Sequence, residues 1–370
     1  MHLEIVSFSD THLAEAAALL ALRHQQDRAL EPALPERFTQ PDAARSVLEA
    51  VWSRPNASGV VALHAGRMIG YLIGVPRIDM VWGRSVWVPL AGHAVDRARG
   101  AEVYRDLYAT LSPSWVAHGC FAHYALIPAS DQAALEAWFT LSFGKEQAHG
   151  IRETADASAL TPPVDPSLTI RRAEMADLEP SIELDDIIAS HQSRAPVYAP
   201  YWFGEYEPFN REEIVQESRE ILQDEQAKMW LALRHGRIVG YQLYIPASQE
   251  FVKIDAIMVP ERCSFLATAA TREEEQGRGV GRILTAHGLA ADHASGYTHC
   301  ITDWRVTNLL SSRFWPRQGF RPIAYRLVRR LDERIAWSHL HISSTPWLAH
   351  DHPGLKTQKT YSYLHVYPTP

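Results

Sequence analysis

Apolar and polar residues alternate along the chain in short runs that predict β-hairpins at matching places in its two halves. Each hairpin surrounds a tight turn that contains a glycine, Ala65-Gly66-Arg67 in the first half and His235-Gly236-Arg237 in the second. The strands predicted on either side of these turns are residues 60–64 and 68–75, and residues 230–234 and 238–244. The same pattern in both halves indicates a loose internal repeat.

Around the hairpins, runs of period two predict further strands and runs with helical spacing predict helices. In the first half the strands are residues 3–6, 86–95 and 121–127, the helices are residues 11–23, 101–111 and 132–141, and Phe143-Gly144 forms a turn. In the second half the strands are residues 168–172, 263–270, 299–304 and 320–329; one helix opens within residues 173–179, one runs from 280 to Gly296, one covers 308–315 and ends at Pro316, and residues 361–366 form a last strand. Strand pairs interrupted by helices favour an α+β fold over a regular βαβ array.

One segment near the middle of the chain has the composition of a linker. Residues 155–167 are rich in Pro, Ala, Ser and Asp and show no period. A length of 370 residues also favours two domains over one core. We therefore predict domains at 1–154 and 168–335, a linker at 155–167 and a C-terminal extension at 336–370.

Composition and charge narrow the function classes. A net charge of −7 does not favour nucleic-acid binding, and three widely spaced cysteines favour neither a disulfide framework nor a zinc site. The eighteen histidines show no HExxH-type metal spacing. No basic segment precedes a long apolar run at the N-terminus, and the apolar runs are shorter than the roughly 20 residues of a membrane span. We expect a cytoplasmic protein without a metal site.

A glycine-rich stretch between a predicted strand and a predicted helix is the strongest chemical signal. It reads Gln276-Gly277-Arg278-Gly279-Val280-Gly281-Arg282. Glycines let the backbone approach an anion, and the N–H groups of the following helix point toward it. The stretch predicts a phosphate cradle with the two arginines at its rim, although a plain glycine-rich turn into a helix has the same pattern.

The second half, from about 168 to 330, resembles the GNAT superfamily, the Gcn5-related N-acetyltransferases. The family's acetyl-CoA motif, [Gln/Arg]-x-x-Gly-x-[Gly/Ala], fits residues 276–281 at every fixed position. A second family element, in which a strand is followed by Asn, a helix, an aromatic pair and Gly-Phe, matches residues 302–304, Asn308, Phe314-Trp315 and Gly319-Phe320. The resemblance implies two tandem GNAT-like domains, each a mixed, mostly antiparallel sheet flanked by helices.

The first half resembles the same family more faintly. Residues 127–131, Trp138-Phe139 and Phe143-Gly144 echo the second element, but the glycine motif is absent. In its place stands a segment from Asp96 to Glu102 with one glycine and acidic residues on both sides. Those acids would repel a pyrophosphate. We interpret this half as a degenerate copy without cofactor binding.

The resemblance implies an N-acetyltransferase that uses acetyl-CoA. It implies that the pyrophosphate lies on residues 276–282 and that the pantetheine pairs with a strand that parts from its neighbour at Ala270 and Thr271. The Thr271 N–H would then polarise the thioester carbonyl. Asn308 would reach the cofactor, and it can also cap the helix that it precedes.

Two catalytic groups depart from the family's usual pattern. The family often has Tyr as the acid where this chain has Trp315, and an indole is not a usable acid. Glu261 is the first candidate base, and Asp303 is the runner-up. Glu261 also fits a solvated loop after Pro260, and Asp303 also fits a strand-end carboxylate paired with Arg305.

We expect the acceptor to be a small-molecule or peptide amine; a homodimer is compatible with the sequence. The acceptor site should be built by the loop after the first helix of the second half, whose polar and aromatic side chains suit a cationic amine, although packing against the sheet explains them equally well. These side chains are His191, Arg194, Tyr198, Tyr201, Trp202 and Tyr206. Trp315 at the usual Tyr position, the two rival bases and the degenerate first half motivate an alternative, a non-catalytic protein that binds or senses acyl-CoA.

Overall fold

The computed structural model describes residues 3–79, 82–155, 165–199, 211–247 and 255–335. Its strands are β1 (Glu4–Ser7), β2 (Ser58–His64), β3 (Arg67–Asp79), β4 (Gly83–Val88), β5 (His93–Val95), β6 (Ala122–Pro128), β7 (Gly144–Glu153), β8 (Leu168–Arg172), β9 (Lys228–Arg234), β10 (Arg237–Pro246), β11 (Cys263–Thr271), β12 (His299–Arg305) and β13 (Arg321–Arg330). Its α-helices are α1 (Leu13–Leu30), α2 (Pro41–Trp52), α3 (Glu102–Ala117), α4 (Gln132–Thr140), α5 (Leu178–Gln192), α6 (Arg211–Gln223), α7 (Val280–Ala294) and α8 (Ser311–Arg317). None of the described helices is long and apolar enough to cross a membrane.

All the described strands join one mixed sheet. The strand order is β1-β2-β3-β4-β6-β13-β7-β12-β11-β10-β9-β8, and β5 pairs with β3. The pairs β4–β6 and β11–β12 are parallel, and the other pairs are antiparallel. Since strands and helices do not alternate regularly, the predicted α+β class is confirmed.

The sheet runs through both halves of the chain because the halves exchange strands. Strand β7 of the first half pairs with β12 and β13 of the second, and β13 also pairs with β6 of the first. Residues 1–331 accordingly form one compact unit. The second unit comprises residues 332–370, of which 332–335 are described and include an Asp332–Arg334 ion pair. The domain boundaries proposed from sequence stay a prediction.

Helices cover both faces of the sheet, which we call face A and face B. Face A carries α1, α2, α5 and α6, with Leu20, Leu48 and Leu184 in its apolar core. Face B carries α3, α4, α7 and α8, with Leu107 beneath α3 and Leu289 beneath α7. Each half therefore contributes two helices to each face, as the internal repeat predicts.

The two predicted hairpins form, with the same turn geometry. Ala65 and Gly66 have φ values of 50° and 77°, and His235 and Gly236 have 51° and 78°. Two successive residues with positive φ give the twist that matches a two-residue hairpin. The repeat detected in the sequence thus extends to backbone conformation.

Some predicted elements are wrong in their limits. The strand predicted at 86–95 is two strands, β4 and β5, because Pro89 and a short helical turn at Leu90–Gly92 interrupt it. Pro316 lies inside α8 rather than ending it; the helix continues to Arg317, and Gly319, with φ 85°, follows. Gly144 begins β7 rather than forming a turn. The strand predicted at 361–366 lies outside the described residues.

Helix α7 approaches the sheet closely at one glycine. A Cβ atom placed on Gly288 would overlap the ring of Tyr244 on β10, and both residues are buried. No larger residue fits there without moving the helix or the ring. The position of α7, and of the glycine-rich loop that precedes it, therefore depends on this contact.

We predict that Gly288→Ala destabilises the protein by about 1–3 kcal/mol, because overpacking outweighs the better helix propensity of alanine. Gly144→Ala is the matched control, since no atom lies within 4 Å of its added Cβ; it should change stability by less than about 0.5 kcal/mol. Urea unfolding measures both. A Gly288→Ala protein at least as stable as the parent would contradict this packing.

Candidate functional site

Two neighbouring strands of the second half separate from each other in the middle of the sheet. β11 and β12 pair in parallel from Cys263 to Leu266, opposite His299 to Thr302. Beyond that point β11 continues beside β10 to Thr271, and β12 continues beside β7 to Arg305. The two strands thus enclose a wedge-shaped gap, which we call the split.

A β-bulge marks the start of the split. Leu243 and Tyr244 of β10 face Thr268 and Leu266 of β11, so Ala267 is the extra residue. On the other side of the gap, the Thr302 hydroxyl donates to the Leu266 carbonyl over 2.9 Å. Bulges bend a strand and end its pairing, which is what happens here.

The glycine-rich stretch lies at the open end of the split. After β11 the chain makes a short helical turn at Glu273–Glu275, and α7 begins at Val280. Gly277 and Gly279 have φ values of 78° and 89°, a region that disfavours other residues. Because the first N–H groups of a helix have no intrahelical acceptor, the start of α7 presents donors to an anion.

The acidic residue next to this stretch is neutralised by arginines. Glu275 is buried, and its carboxylate lies 3.1 Å from Arg234 Nε and 3.6 Å from Arg278 Nη1. Arg234 is also paired with Asp165 at 2.9 Å. Arg278 and Arg282 are exposed at the edge of the stretch, so they are accessible to an anionic ligand.

A buried polar chain supports the first turn of α7 from below. The amide of Gln242 donates to the Thr285 hydroxyl over 2.9 Å, and that hydroxyl donates to the Gly281 carbonyl over 2.8 Å. Tyr244 donates to the other end of the Gln242 amide over 2.8 Å, and burial raises the pKa of Tyr244, which keeps it a neutral donor. This hydrogen-bonded network of Tyr244, Gln242 and Thr285 was not predicted from the sequence. The signal that could have indicated it was a glutamine and a threonine inside apolar runs.

Asn308 connects β12 to α8 and to α5. Its side-chain oxygen accepts hydrogen bonds from the backbone N–H groups of Leu310 at 3.0 Å and Ser311 at 3.2 Å. The same oxygen lies 3.1 Å from Nε2 of His191. Asn308 therefore caps α8, which begins three residues later than predicted.

A cavity of about 1960 Å³ includes the split, and it is lined by α5 and α6 on face A and by α8 on face B. It is larger than the roughly 300–1,000 Å³ of a typical small-ligand pocket, so it can hold two substrates. All the residues predicted to bind the cofactor line it: Ala270, Thr271, Gln276, Gly277, Arg278, Gly279, Val280, Gly281, Arg282 and Asn308. Trp82 and Gln147 of the first half line it as well.

The two candidate bases lie in different surroundings. Asp303 lines the cavity one residue beyond the last β11–β12 pair; its carboxylate is 17% exposed and lies 3.9 Å from Nδ1 of His149. Arg305 forms an ion pair with Glu146. The alternative interpretation of the sequence, in which Arg305 pairs with Asp303, is therefore wrong. Glu261 does not line the cavity; its carboxylate is 73% exposed and lies 3.9 Å from Arg37.

The remaining predicted groups divide between the cavity and the surface. Trp315 lines the cavity and packs edge to face against Phe314 and Phe320. His191 also lines it, whereas Arg194 and Tyr198 are exposed. The aromatic residues predicted at 201, 202 and 206 lie outside the described residues. Among the described residues, no group of His, Cys, Asp or Glu could hold a metal ion.

The corresponding place in the first half is filled by protein side chains. There β4 and β6 pair in parallel only from Ser85 to Val88, and Nε2 of His93 lies 2.8 Å from the carbonyl of Leu126 beyond that pair. Burial lowers the pKa of His93 to about 3, so the ring is neutral at pH 7. A neutral ring held between the strands leaves less room for a ligand.

Ion pairs lie in the first-half segment that replaces the glycine motif. Arg97, in the segment that replaces the glycine motif, binds Asp27 at 2.6 Å and Asp131 at 3.0 Å. Asp131 caps α4 by accepting from the Ala134 N–H, as Asn308 caps α8. Ion-paired side chains therefore surround the segment that corresponds in sequence to the glycine stretch of the second half.

Comparison with known proteins agrees with this geometry. Residues 194–320 match the model of the acetyltransferase (GNAT) family. The chain is similar to a solved GCN5-related N-acetyltransferase from Sphaerobacter thermophilus, with 15% identity, a TM-score of 0.54 and coverage of 90% of this chain and 96% of that one. A tandem GNAT protein from the clavulanic acid biosynthesis pathway is 15% identical, with a TM-score of 0.49 and coverage of 89% and 98%. No curated protein sequence matches the chain.

A TM-score of 0.54 over nine-tenths of the chain shows a shared fold, and 15% identity shows nothing beyond the fold. The chain thus has the fold of a GCN5-related N-acetyltransferase, and its residues 194–320 match the acetyltransferase (GNAT) family.

Proposed function

We propose that this protein is an N-acetyltransferase that moves an acetyl group from acetyl-CoA to a primary amine by direct attack. The observation that carries the proposal is the split between β11 and β12, which ends at a glycine-rich helix start. Acetyl-CoA supplies an activated acyl group as a thioester. The backbone geometry suits its two parts, an extended arm and a pyrophosphate.

The extended arm would pair with the edge of β11. From Ala267 to Thr271 this strand has β10 on one side and the cavity on the other. An extended ligand adds to such an edge as another strand does. The pyrophosphate would then meet the N–H groups at the start of α7, with Arg278 and Arg282 nearby.

The position of Asp303 changes which backbone donor serves the reacting carbonyl. Asp303 follows the Leu266–Thr302 pair, so it is level with Ala267. Thr271 lies four residues further along β11, or roughly 13 Å at the rise of a strand. If Asp303 acts on the amine, the N–H that polarises the carbonyl belongs to Ala267 or Thr268, and Thr271 binds the arm.

We propose that Asp303 accepts the proton of the attacking amine. A general base must lie within reach of the proton that it removes, directly or through one water, and Asp303 lines the cavity beside the split. Glu261 is the weaker candidate, because its exposed carboxylate lies outside the cavity.

The leaving thiolate needs no side-chain acid in this proposal. Trp315 lines the cavity at the position where the family often has Tyr, and its indole cannot supply a proton to the thiolate. A thiol has a pKa of about 8.5, so its thiolate is a fair leaving group near neutral pH and can take a proton from water.

We predict that Gly279→Glu weakens CoA binding at least about ten-fold more than Gly279→Ala does. Both variants bear the cost of a side chain at φ 89°, on the order of 1–3 kcal/mol, and only glutamate adds a charge beside the pyrophosphate. Calorimetric titration with CoA on folded variants measures the difference. Equal affinities for the two variants would rule the loop out as the pyrophosphate site.

We also predict that the chain binds one CoA. The first-half site is occupied by His93 and by the Arg97 ion pairs, and only the second half has the glycine stretch. Titration with the stoichiometry left free should give a value near one per chain. Two equivalent sites per chain would show that the first half still binds the cofactor.

Exchanging the two candidate bases tests the chemistry. Asp303→Asn should lower kcat/KM by about 10²–10⁴ with CoA affinity unchanged, and Glu261→Gln should stay within about two-fold of the parent. Thiol release from acetyl-CoA on a panel of amines gives the rates. The reverse ranking would favour Glu261. Tight CoA binding without turnover of any amine would favour the alternative, a protein that senses acyl-CoA.

A further inference from the structure

An arginine cluster lines the cavity beside Asp303, at the junction of the two halves. Arg305 of β12 and Arg326 of β13 both line the cavity, together with Gln147 of β7 and Trp82. Arg326 and Gln147 are 2% and 8% exposed. Charged and polar side chains this deeply buried need partners, so their presence on a cavity wall calls for a physical reason.

One carboxylate, Glu146, holds both arginines. It contacts Arg305 Nη1, and its other oxygen lies 2.7 Å from Nε of Arg326. Burial alone would raise the pKa of Glu146, but the ion pairs with Arg326 and Arg305 outweigh burial and lower it, so the carboxylate is charged. Two guanidinium groups against one carboxylate leave one positive charge in excess.

A β-bulge orients the Glu146 carboxylate. Arg326 and Leu327 of β13 face Gln147 and Lys145 of β7, so Glu146 is the extra residue of the bulge. Gln147 accepts from Arg326 Nη2 over 3.1 Å, and Glu146 accepts from Nε. Bulges commonly re-aim a side chain next to a functional site. Nη1 of Arg326 has no hydrogen bond to the described residues and remains for a further acceptor.

The cluster lies on the same face of the sheet as Asp303. Along β12, Cys300 and Trp304 belong to the core under α7 and α8, whereas Ile301 belongs to the core of face A. Because side chains alternate along a strand, Asp303 and Arg305 lie with Ile301 on face A. Residues of α5 and α6 also line the cavity on face A, so an acceptor bound near Asp303 would lie on this face.

Trp82 completes the cluster. The Cζ atoms of Arg326 and Arg305 lie 4.7 Å and 5.8 Å from the centre of its ring, within range of cation–π contact. The ring covers apolar parts of the guanidinium groups and leaves their N–H edges for hydrogen bonds. A planar carboxylate is the anion that such edges fit best.

We infer that the acceptor amine also carries a carboxylate, which binds at Arg305 and Arg326 while the amine lies near Asp303. This inference rests on the proposed function and adds a substrate class to it. An amine with a carboxylate supplies one positive and one negative charge. They complement Asp303 on one side and the excess charge of the cluster on the other.

The test compares amines that differ only in the carboxylate, with the full chain saturated with CoA. The pairs are γ-aminobutyrate with butylamine and ε-aminocaproate with hexylamine. Calorimetry gives affinity, and thiol release with acetyl-CoA gives kcat/KM. We expect the carboxylated member of a pair to exceed its partner about ten- to a hundred-fold, the size of one or two charged hydrogen bonds.

Arg305→Gln should abolish this preference by weakening the carboxylated member about ten-fold or more relative to the alkylamine. It leaves Glu146 paired with Arg326, so the fold should hold, and a thermal melt checks this. Arg329→Gln is the matched control, because Arg329 also lies on β13 but contacts Tyr108 and does not line the cavity. It should keep the preference.

The outcomes separate this inference from the proposed function. Turnover of alkylamines and amino carboxylates at equal kcat/KM, or a preference that survives Arg305→Gln, overturns the inference and leaves the transferase intact. Selective binding of the carboxylates without turnover of any member supports the anion site and overturns the transferase. Failure of both amino carboxylates to bind contradicts the inference. Stronger binding of aminopropylphosphonate than of γ-aminobutyrate would show that the cluster prefers a phosphate-like group and would overturn the inferred carboxylate.

Discussion

The geometry of the site depends on the point at which backbone hydrogen bonding between β11 and β12 ends. β11 and β12 share a ladder up to the Leu266–Thr302 pair and then separate. Backbone N–H and C=O groups away from water need partners, so an edge of this kind inside a sheet is costly unless something else pairs with it. A ligand that supplies a strand-like arm satisfies that need, and the cavity lies where such an arm would enter.

The separation is possible because each strand keeps a partner on its other side. β11 has β10, and β12 has β7 along its whole length from His299 to Arg305. β7 comes from the first half, so the first half is part of the structure around the site in the second half. It also supplies Glu146, Gln147 and Trp82 to the surroundings of the cavity. The first half therefore contributes to the site whether or not it binds a cofactor itself.

Local features of the site could be predicted from the sequence, and non-local ones could not. The start of α7 and the capping by Asn308 each depend on residues a few positions apart, and these two predictions agree with the structure. Phosphate binding by the glycine stretch stays a prediction. The exchange of β7 and β13 depends on pairing between residues more than 150 positions apart. Strand β7 was not predicted because it contains the polar run Lys145-Glu146-Gln147. Two of these side chains, Glu146 and Gln147, accept hydrogen bonds from Arg326 of the arginine cluster instead of facing solvent. The sequence put Glu261 ahead of Asp303 as the candidate base, and the cavity, which Asp303 lines and Glu261 does not, favours the reverse order.

The most direct test of the central claim is amide hydrogen exchange along β11 with and without CoA. The account predicts that CoA binding slows exchange between Ala267 and Thr271, where the open edge gains a partner, and at the start of α7. It predicts little change between Cys263 and Leu266, where β12 already pairs with the strand. Saturating CoA with unchanged exchange from 267 to 271 would contradict the claim that this edge receives the extended arm.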